Sequence, residues 1–241
     1  MKIDVIPIKP EYSKFLELNP PVISNKVLPD WYKDMDIHDR YDHWASEFDI
    51  RHKPMNAKSC PAIQDILTTG IMIPAWSDIY IKTMRDTEGN IMTQHWDTTS
   101  RTAAQEPLQA HLNHHSFSQW EGMDLQVTIN NKLLKILLPY YFKIPEGYNI
   151  FYTDPYYHFR KDIRCLSGIV EGDKWGAIAF PFEILQDDVH VKAGTPLIHA
   201  LIYKREESKK IELNLREGTE QEYQDIKDMY FKRNIGYQGY K

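Results

Sequence analysis

Cysteine is nearly absent from this chain: its 241 residues contain two, Cys60 and Cys165. A disulfide framework needs more, so the sequence points to a reducing compartment and to two buried thiols acting as small hydrophobes. Long hydrophobic runs are missing as well. The longest, Leu133-Leu134-Lys135-Ile136-Leu137-Leu138, is strand-sized and interrupted by a lysine, whereas a membrane-spanning helix takes about 20 apolar residues. The opening residues, MKIDVIPIKPEYSKF, have neither the apolar core nor the small-residue cleavage pattern of a secretory signal. Neither a membrane partner nor secretion through a signal peptide is expected. A positive charge balance is lacking too. The formal net charge is −5, and sequence-independent nucleic-acid binding needs a positive surface to displace counterions, so nucleic acid is not an expected partner. Phosphate loop, glycine-rich dinucleotide fingerprint and nucleophile elbow are all absent, which removes the nucleotide and hydrolase chemistries recognisable by motif.

What is present is strand-forming and aromatic. Tyrosine (15) and tryptophan (6) are generously used, and both suit strands and binding surfaces. The stretch 187–206, DDVHVKAGTPLIHALIYKRE, has two apolar runs flanking Ala193-Gly194-Thr195-Pro196. It reads as a strand, a tight bend and a second strand buried on both faces, because the second run shows little polar alternation. Upstream, 78–96 reads as a hairpin around Glu88-Gly89-Asn90. Further strands are expected over 1–8, 125–129, 133–141, 148–152, 163–170, 176–182 and 211–215, with a polar crossover over 97–118. Ser59, Pro61 and Gly70 delimit one short helix, Ser59 as its N-cap and Gly70 as its left-handed end. Asp30 is placed to cap another that carries Trp31 and Tyr32. Thr219 and Glu222 form a capping box ahead of a helical stripe of Tyr223, Ile226, Met229 and Tyr230.

The expected fold is therefore mainly β, a jelly-roll-like or cupin-like antiparallel sandwich. It divides into an N-terminal arm packing on the main domain (1–58), the sandwich (59–216), and a C-terminal helix and tail (217–241). Within the arm, 20–55 reads as a long irregular segment anchored by Trp31, Tyr32, Trp44 and Phe48.

Several residue groups carry possible chemistry. His95-Trp96-Asp97 sits at a strand end, where side chains two residues apart share a face. With a distal histidine, His199 or else His158 or His190, it makes the two-histidine, one-carboxylate set that holds Fe(II). Arg205 then suits the carboxylate of an oxo-acid co-substrate. The chain has ten histidines, so such a triplet also arises by chance. His111 and His115 have the helical spacing that can hold zinc, or else belong to a solvated loop. His190 and His199 flank the Gly194 bend and face each other if the hairpin register centres there. Tyr148, Tyr152, Tyr156, Tyr157, Phe159 and Arg160 combine aromatic faces with a guanidinium, a pairing that stacks on a sugar, base or other planar ligand and equally suits plain sandwich packing. Tyr152, Tyr156, Tyr157, Arg160 and His190 are thus the ligand-binding candidates.

A set of segments also carries a resemblance. They are Pro29-Asp30-Trp31-Tyr32-Lys33, then Lys58-Ser59-Cys60-Pro61-Ala62-Ile63-Gln64-Asp65, and Gly70-Ile71-Met72-Ile73-Pro74-Ala75-Trp76-Ser77-Asp78. Downstream are Pro145-Glu146-Gly147-Tyr148, Ser167-Gly168-Ile169-Val170, Phe180-Pro181-Phe182 and Gly194-Thr195-Pro196-Leu197-Ile198 through Lys204-Arg205-Glu206. In order and spacing they resemble uncharacterised proteins of tailed phages of marine bacteria, T4-like cyanophages among them, and related bacterial domains of unknown function. The resemblance spans most of 29–206 and implies no catalytic residues. It implies a phage-type protein of the virion or the host cytoplasm. Such a protein acts by binding, either as a virion-associated structural component or as an accessory module for a small molecule, glycan or protein. Protein partners or self-assembly are expected through the N-terminal arm and the C-terminal helix. The alternative is a mononuclear Fe(II) oxygenase using His95, Asp97 and His199.

Overall fold

The computed structural model describes residues 1–36, 56–85, 87–88, 91–97, 111–114, 120–123, 133–176, 179–208 and 211–236. Its strands in chain order are β1 (Asp4–Pro7), β2 (Val22–Ile23), β3 (Ile71–Pro74), β4 (Ile79–Arg85), β5 (Ile91–Asp97), β6 (His111–His114) and β7 (Leu133–Leu137). They continue with β8 (Tyr140–Lys143), β9 (Tyr148–Thr153), β10 (Ile163–Cys165), β11 (Gly168–Glu171), β12 (Ala179–Ile184), β13 (Asp188–Val191) and β14 (Pro196–Lys204). The helices are α1 (Ser13–Leu18), α2 (Asp30–Asp34), α3 (Pro61–Thr68), α4 (Arg205–Ser208) and α5 (Glu220–Gly236).

The chain is mainly β and antiparallel, its described strands forming four sheets in a sandwich-like arrangement. A five-stranded sheet runs β11-β9-β14-β3-β2 and a four-stranded one β10-β12-β7-β6, with a three-stranded sheet β13-β4-β5 and the pair β1-β8. The inner face of the five-stranded sheet presents Ile71, Ile73, Ile150, Ala200 and Ile202 to Phe142 and Phe180, around a void of about 10 Å³. A cavity needs at least that much to admit one water, so side chains fill the sandwich at this point. Each fully buried isoleucine or leucine contributes about 1.5–3 kcal/mol, and Ile73, Ile79, Leu134, Ile136, Ile163, Leu197 and Ile198 all qualify.

The bend at Gly194 does more than reverse the chain. Gly194 has φ +83°, its N–H donates to the Ala75 carbonyl (2.8 Å), and Ala75 N–H donates to the Thr195 carbonyl (2.8 Å). These bonds carry the chain from one sheet to another. β13 pairs with β4, whereas β14 inserts between β3 and β9. The two strands expected to form a hairpin therefore never pair, and His190 and His199 lie in different sheets instead of facing one another. The second strand is buried over Leu197–Ala200, where Ser24, Thr69 and Gly70 lie against its outer side, and only half-buried over Leu201–Tyr203, short of the double-faced burial the apolar run implied. Gly70, at φ +89°, ends α3 where a Cβ would lie 2.4 Å from the Ala200 carbonyl oxygen.

Other expectations resolve in detail. The β4–β5 hairpin forms in continuous register from Ile79↔Asp97 to Arg85↔Ile91. The strand expected over 133–141 is two, interrupted at Leu138-Pro139, where proline supplies no N–H to a ladder; β7 pairs with β12 and β8 with β1. The strand expected over 163–170 likewise splits into β10 and β11, in different sheets. The crossover expected over 97–118 contains β6, paired with β7, so helical spacing does not apply from His111 to His114. Cys60, not Ser59, is the N-cap of α3, since Ser59 closes the preceding 3-10 turn Ala57–Ser59. Asp30 is the first residue of α2 after Pro29, with Lys33 on its carboxylate (2.9 Å). No strand forms at 211–215, where Ile211, Leu213 and Leu215 are 75, 81 and 93% exposed. The capping box is present: Thr219 N–H donates to Glu222 Oε2 (2.7 Å) and Glu222 N–H to Thr219 Oγ1 (3.3 Å). Trp44, Phe48 and the strand expected over 125–129 lie outside the described residues.

Candidate functional site

The N-terminal region enters the sheets twice, through β1 on β8 and β2 on β3. Between these strands Tyr12 and Phe15 enter the core; from Ser24 onward the segment lies against the outer face of β14 and the loop that leaves β9. That seam, 22–33 against 154–162, gathers part of the chemistry the sequence flagged.

The loop is pinned at both ends. Asp154 Oδ1 accepts the Cys165 N–H (3.0 Å), and burial pushes the Asp154 carboxyl up against that bond and the nearby Arg160 and Arg164 charges. Arg160 grips Asp162 through Nε (3.0 Å) and Nη2 (2.5 Å) and reaches the Pro196 carbonyl (3.4 Å). Between these anchors Tyr157 and Phe159 take φ +62° and +51°, a left-handed conformation costing about 1–3 kcal/mol at each non-glycine residue. The strain aims two rings at Trp31. Trp31 Nε1 donates to the Tyr157 carbonyl (2.7 Å), and its ring centroid lies 6.2 Å from that of Tyr157 and 6.1 Å from that of Phe159. Tyr157 and Phe159 stand 6.0 Å apart, near-perpendicular. Phe159 remains 67% exposed.

Beneath this rim are two histidines. His199 is 1% exposed, with Tyr156 edge-on to it at 5.5 Å. Its Nε2 lies 2.7 Å from the Thr69 carbonyl and 3.0 Å from Ser24 Oγ. A carbonyl only accepts, so Nε2 carries the proton and Nδ1 holds a lone pair. That Nδ1 is buried with no hydrogen-bond partner among the described residues. His158 bonds the Val27 backbone, and its Nε2 is buried in the same unpartnered state. Burial lowers the pKa of both; at His158 the neighbouring His199, Lys33 and Arg160 lower it further against the Val27 bond, while the Thr69 carbonyl opposes the shift at His199. No family model, curated protein or solved structure matches the chain.

The seam thus unites Tyr156, Tyr157, Arg160 and His199. The other flagged residues lie elsewhere. Tyr152 is a core residue, edge-on to Phe180 at 4.9 Å. His190 stacks on Tyr80 at 4.3 Å, and its Nε2 lies 3.3 Å from Asp78 Oδ2. Asp78 also accepts the Ala193 N–H (2.8 Å), the leading cause of its lowered pKa. Arg205 is not free for a co-substrate: it bonds Asp173, Asn149 Oδ1 (2.8 Å) and the Tyr148 carbonyl (3.3 Å). Arg160 is similarly paired with Asp162, which leaves exposed Lys161 as the loop's other cationic side chain. His95 and Asp97 occupy register positions opposite Ile81 and Ile79 on β5, in a different sheet from His199, and their side chains lie outside the described residues. Among the described residues no three His, Cys, Asp or Glu side chains converge as a metal set. Cys165 is buried, which pushes its thiol up and leaves it inert.

Two features of the seam escaped sequence reasoning. Trp31, 126 positions from Tyr157, looked like a generic anchor. The unpartnered His158 and His199 nitrogens depend on which backbone carbonyls come near. The available signal was Trp31 itself, a large aromatic in a segment with no regular period.

Proposed function

We propose that this chain acts by binding and that its recognition face is the Trp31–Tyr157–Phe159 rim. The observation that carries this reading is the pair of left-handed aromatic residues. Both rings rest against Trp31, yet Phe159 is held in a costly conformation and still presents two thirds of its surface to solvent. Backbone strain that exposes an aromatic ring fits a site prepared for a ligand. The Arg160 guanidinium is neutralised within the loop, so the ring face of Phe159 is the main contact the rim offers, and a sugar of a glycan stacking on it is the class it suits. The phage setting expected from the resemblance makes purified virions the material in which to look for the protein at fixed copy number.

The test is calorimetric titration of the full chain with a panel of neutral oligosaccharides, repeated with Phe159→Ala. Binding by the native chain, with loss of heat in the variant at unchanged circular dichroism, supports the reading. No binding across the panel, or equal binding by Phe159→Ala, overturns it.

A further inference from the structure

The C-terminal segment has a property the rim does not explain. After Leu215 the chain forms the 17-residue α5. It starts well, through the capping box and Arg216 on Glu222 (2.8 and 2.5 Å), which together hold the Glu222 carboxyl down at about 2. Gln221 reaches Asp225 and Gln224 reaches Asp228, both 2.8 Å and one turn on. Yet Tyr223, Ile226 and Met229 are 47, 58 and 65% exposed. A lone helix of this length is marginal in water, and most helices are held by burial of one face. The stripe 223, 226 and 230 has the alternating three–four spacing of a helix–helix seam.

The charge pattern selects the occupant. Residues 220–228 carry Glu220, Glu222, Asp225 and Asp228 against Lys227 alone, whereas 229–236 carry Lys232 and Arg233 and no acid. A parallel pair would set acid on acid and base on base. An antiparallel pair sets each acidic half against a basic half and opposes the helix dipoles favourably.

We propose that α5 pairs antiparallel with α5 of a second copy of this chain. Ile226 and Met229 lie at the centre of the seam, and the opposed charged halves fix its direction. The pairing is independent of the rim and supplies the burial that the exposed apolar stripe lacks.

Sedimentation equilibrium of the full chain at low and high salt tests it. The native chain dimerises, more weakly in salt. Asp225→Lys with Asp228→Lys, and separately Lys232→Glu with Arg233→Glu, weakens association about tenfold, because each sets like charges against each other across the seam. Combining all four changes restores it. None of these residues belongs to the capping box, and helix content by circular dichroism confirms that α5 persists. A charge pattern that serves only the helix's own dipole gives a monomer at every concentration, and that result overturns the proposal. Failure of the combined variant to recover association, with α5 intact, overturns it too.

Discussion

Gly70→Ala is a sharp test of how the outer face of the five-stranded sheet is closed. Gly70 sits at φ +89°, and an added Cβ would meet the Ala200 carbonyl oxygen at 2.4 Å, Leu201 Cδ2 at 2.7 Å and His199 Nε2 at 3.2 Å. Leu201 can turn aside, but the Ala200 carbonyl is fixed in the ladder between β14 and β3. Two costs add. The left-handed conformation costs about 1–2 kcal/mol for any residue with a Cβ, and forcing a methyl into a packed interface costs about 1–3 kcal/mol more. The expected loss is about 2–5 kcal/mol, a Tm fall of about 5–15 °C for a chain of this size. Gly147→Ala is the matched control. Its φ of +81° exacts the same conformational cost, but nothing lies within 4 Å of the added Cβ. Urea unfolding of both variants followed by far-ultraviolet circular dichroism separates the terms, provided the m-value stays constant. Equal destabilisation of the two variants within about 0.5 kcal/mol, the usual error of such comparisons, would refute the steric argument.

Two further outcomes are expected. Because burial lowers the folded-state pKa of His158 and His199, both are neutral when folded and take up protons on unfolding below the free-histidine value of about 6.5. Stability is full above that value, falls as pH drops through it toward the lower folded pKa, and levels off beneath; urea midpoints from pH 8 to pH 5 show the decline, and His199→Gln flattens it. Thr219→Ala removes one half of the capping box and costs about 1 kcal/mol locally, read as faster amide exchange in the first turn of α5 with no change in the sandwich.

How much was legible in the sequence depended on the range of the interaction. The β4–β5 hairpin, α3 with its Gly70 terminus, the Thr219–Glu222 box and the burial of 197–200 are local, and period or capping chemistry writes each into a few adjacent residues. Apolar runs say that a strand exists but not which strand it joins. Hence 187–206 looked like a hairpin when the bonds of Ala75 to Gly194 and Thr195 send its halves to separate sheets. Hence also 133–141 and 163–170 each looked like one strand. The 211–215 run alternates like a strand and forms none, its apolar side chains standing exposed. For the site, the Tyr156, Tyr157 and Arg160 cluster was visible as composition. Its partner Trp31, the capture of Arg160 by Asp162 and the orphaned histidine nitrogens required knowledge of distant backbone.

The position of β14 has a consequence for how the protein is made. The strand at the middle of the five-stranded sheet is the last of the fourteen described strands to be synthesised. Until residue 204 has left the ribosome, β3 and β9 each present an open edge toward a neighbour that does not yet exist, and β1 has already waited more than a hundred residues for β8. Open edges are templates for pairing with other chains. A chain that stops short of β14 is therefore two adhesive half-sheets with no middle. Synthesis through to Lys204 is the step that makes the protein safe to release.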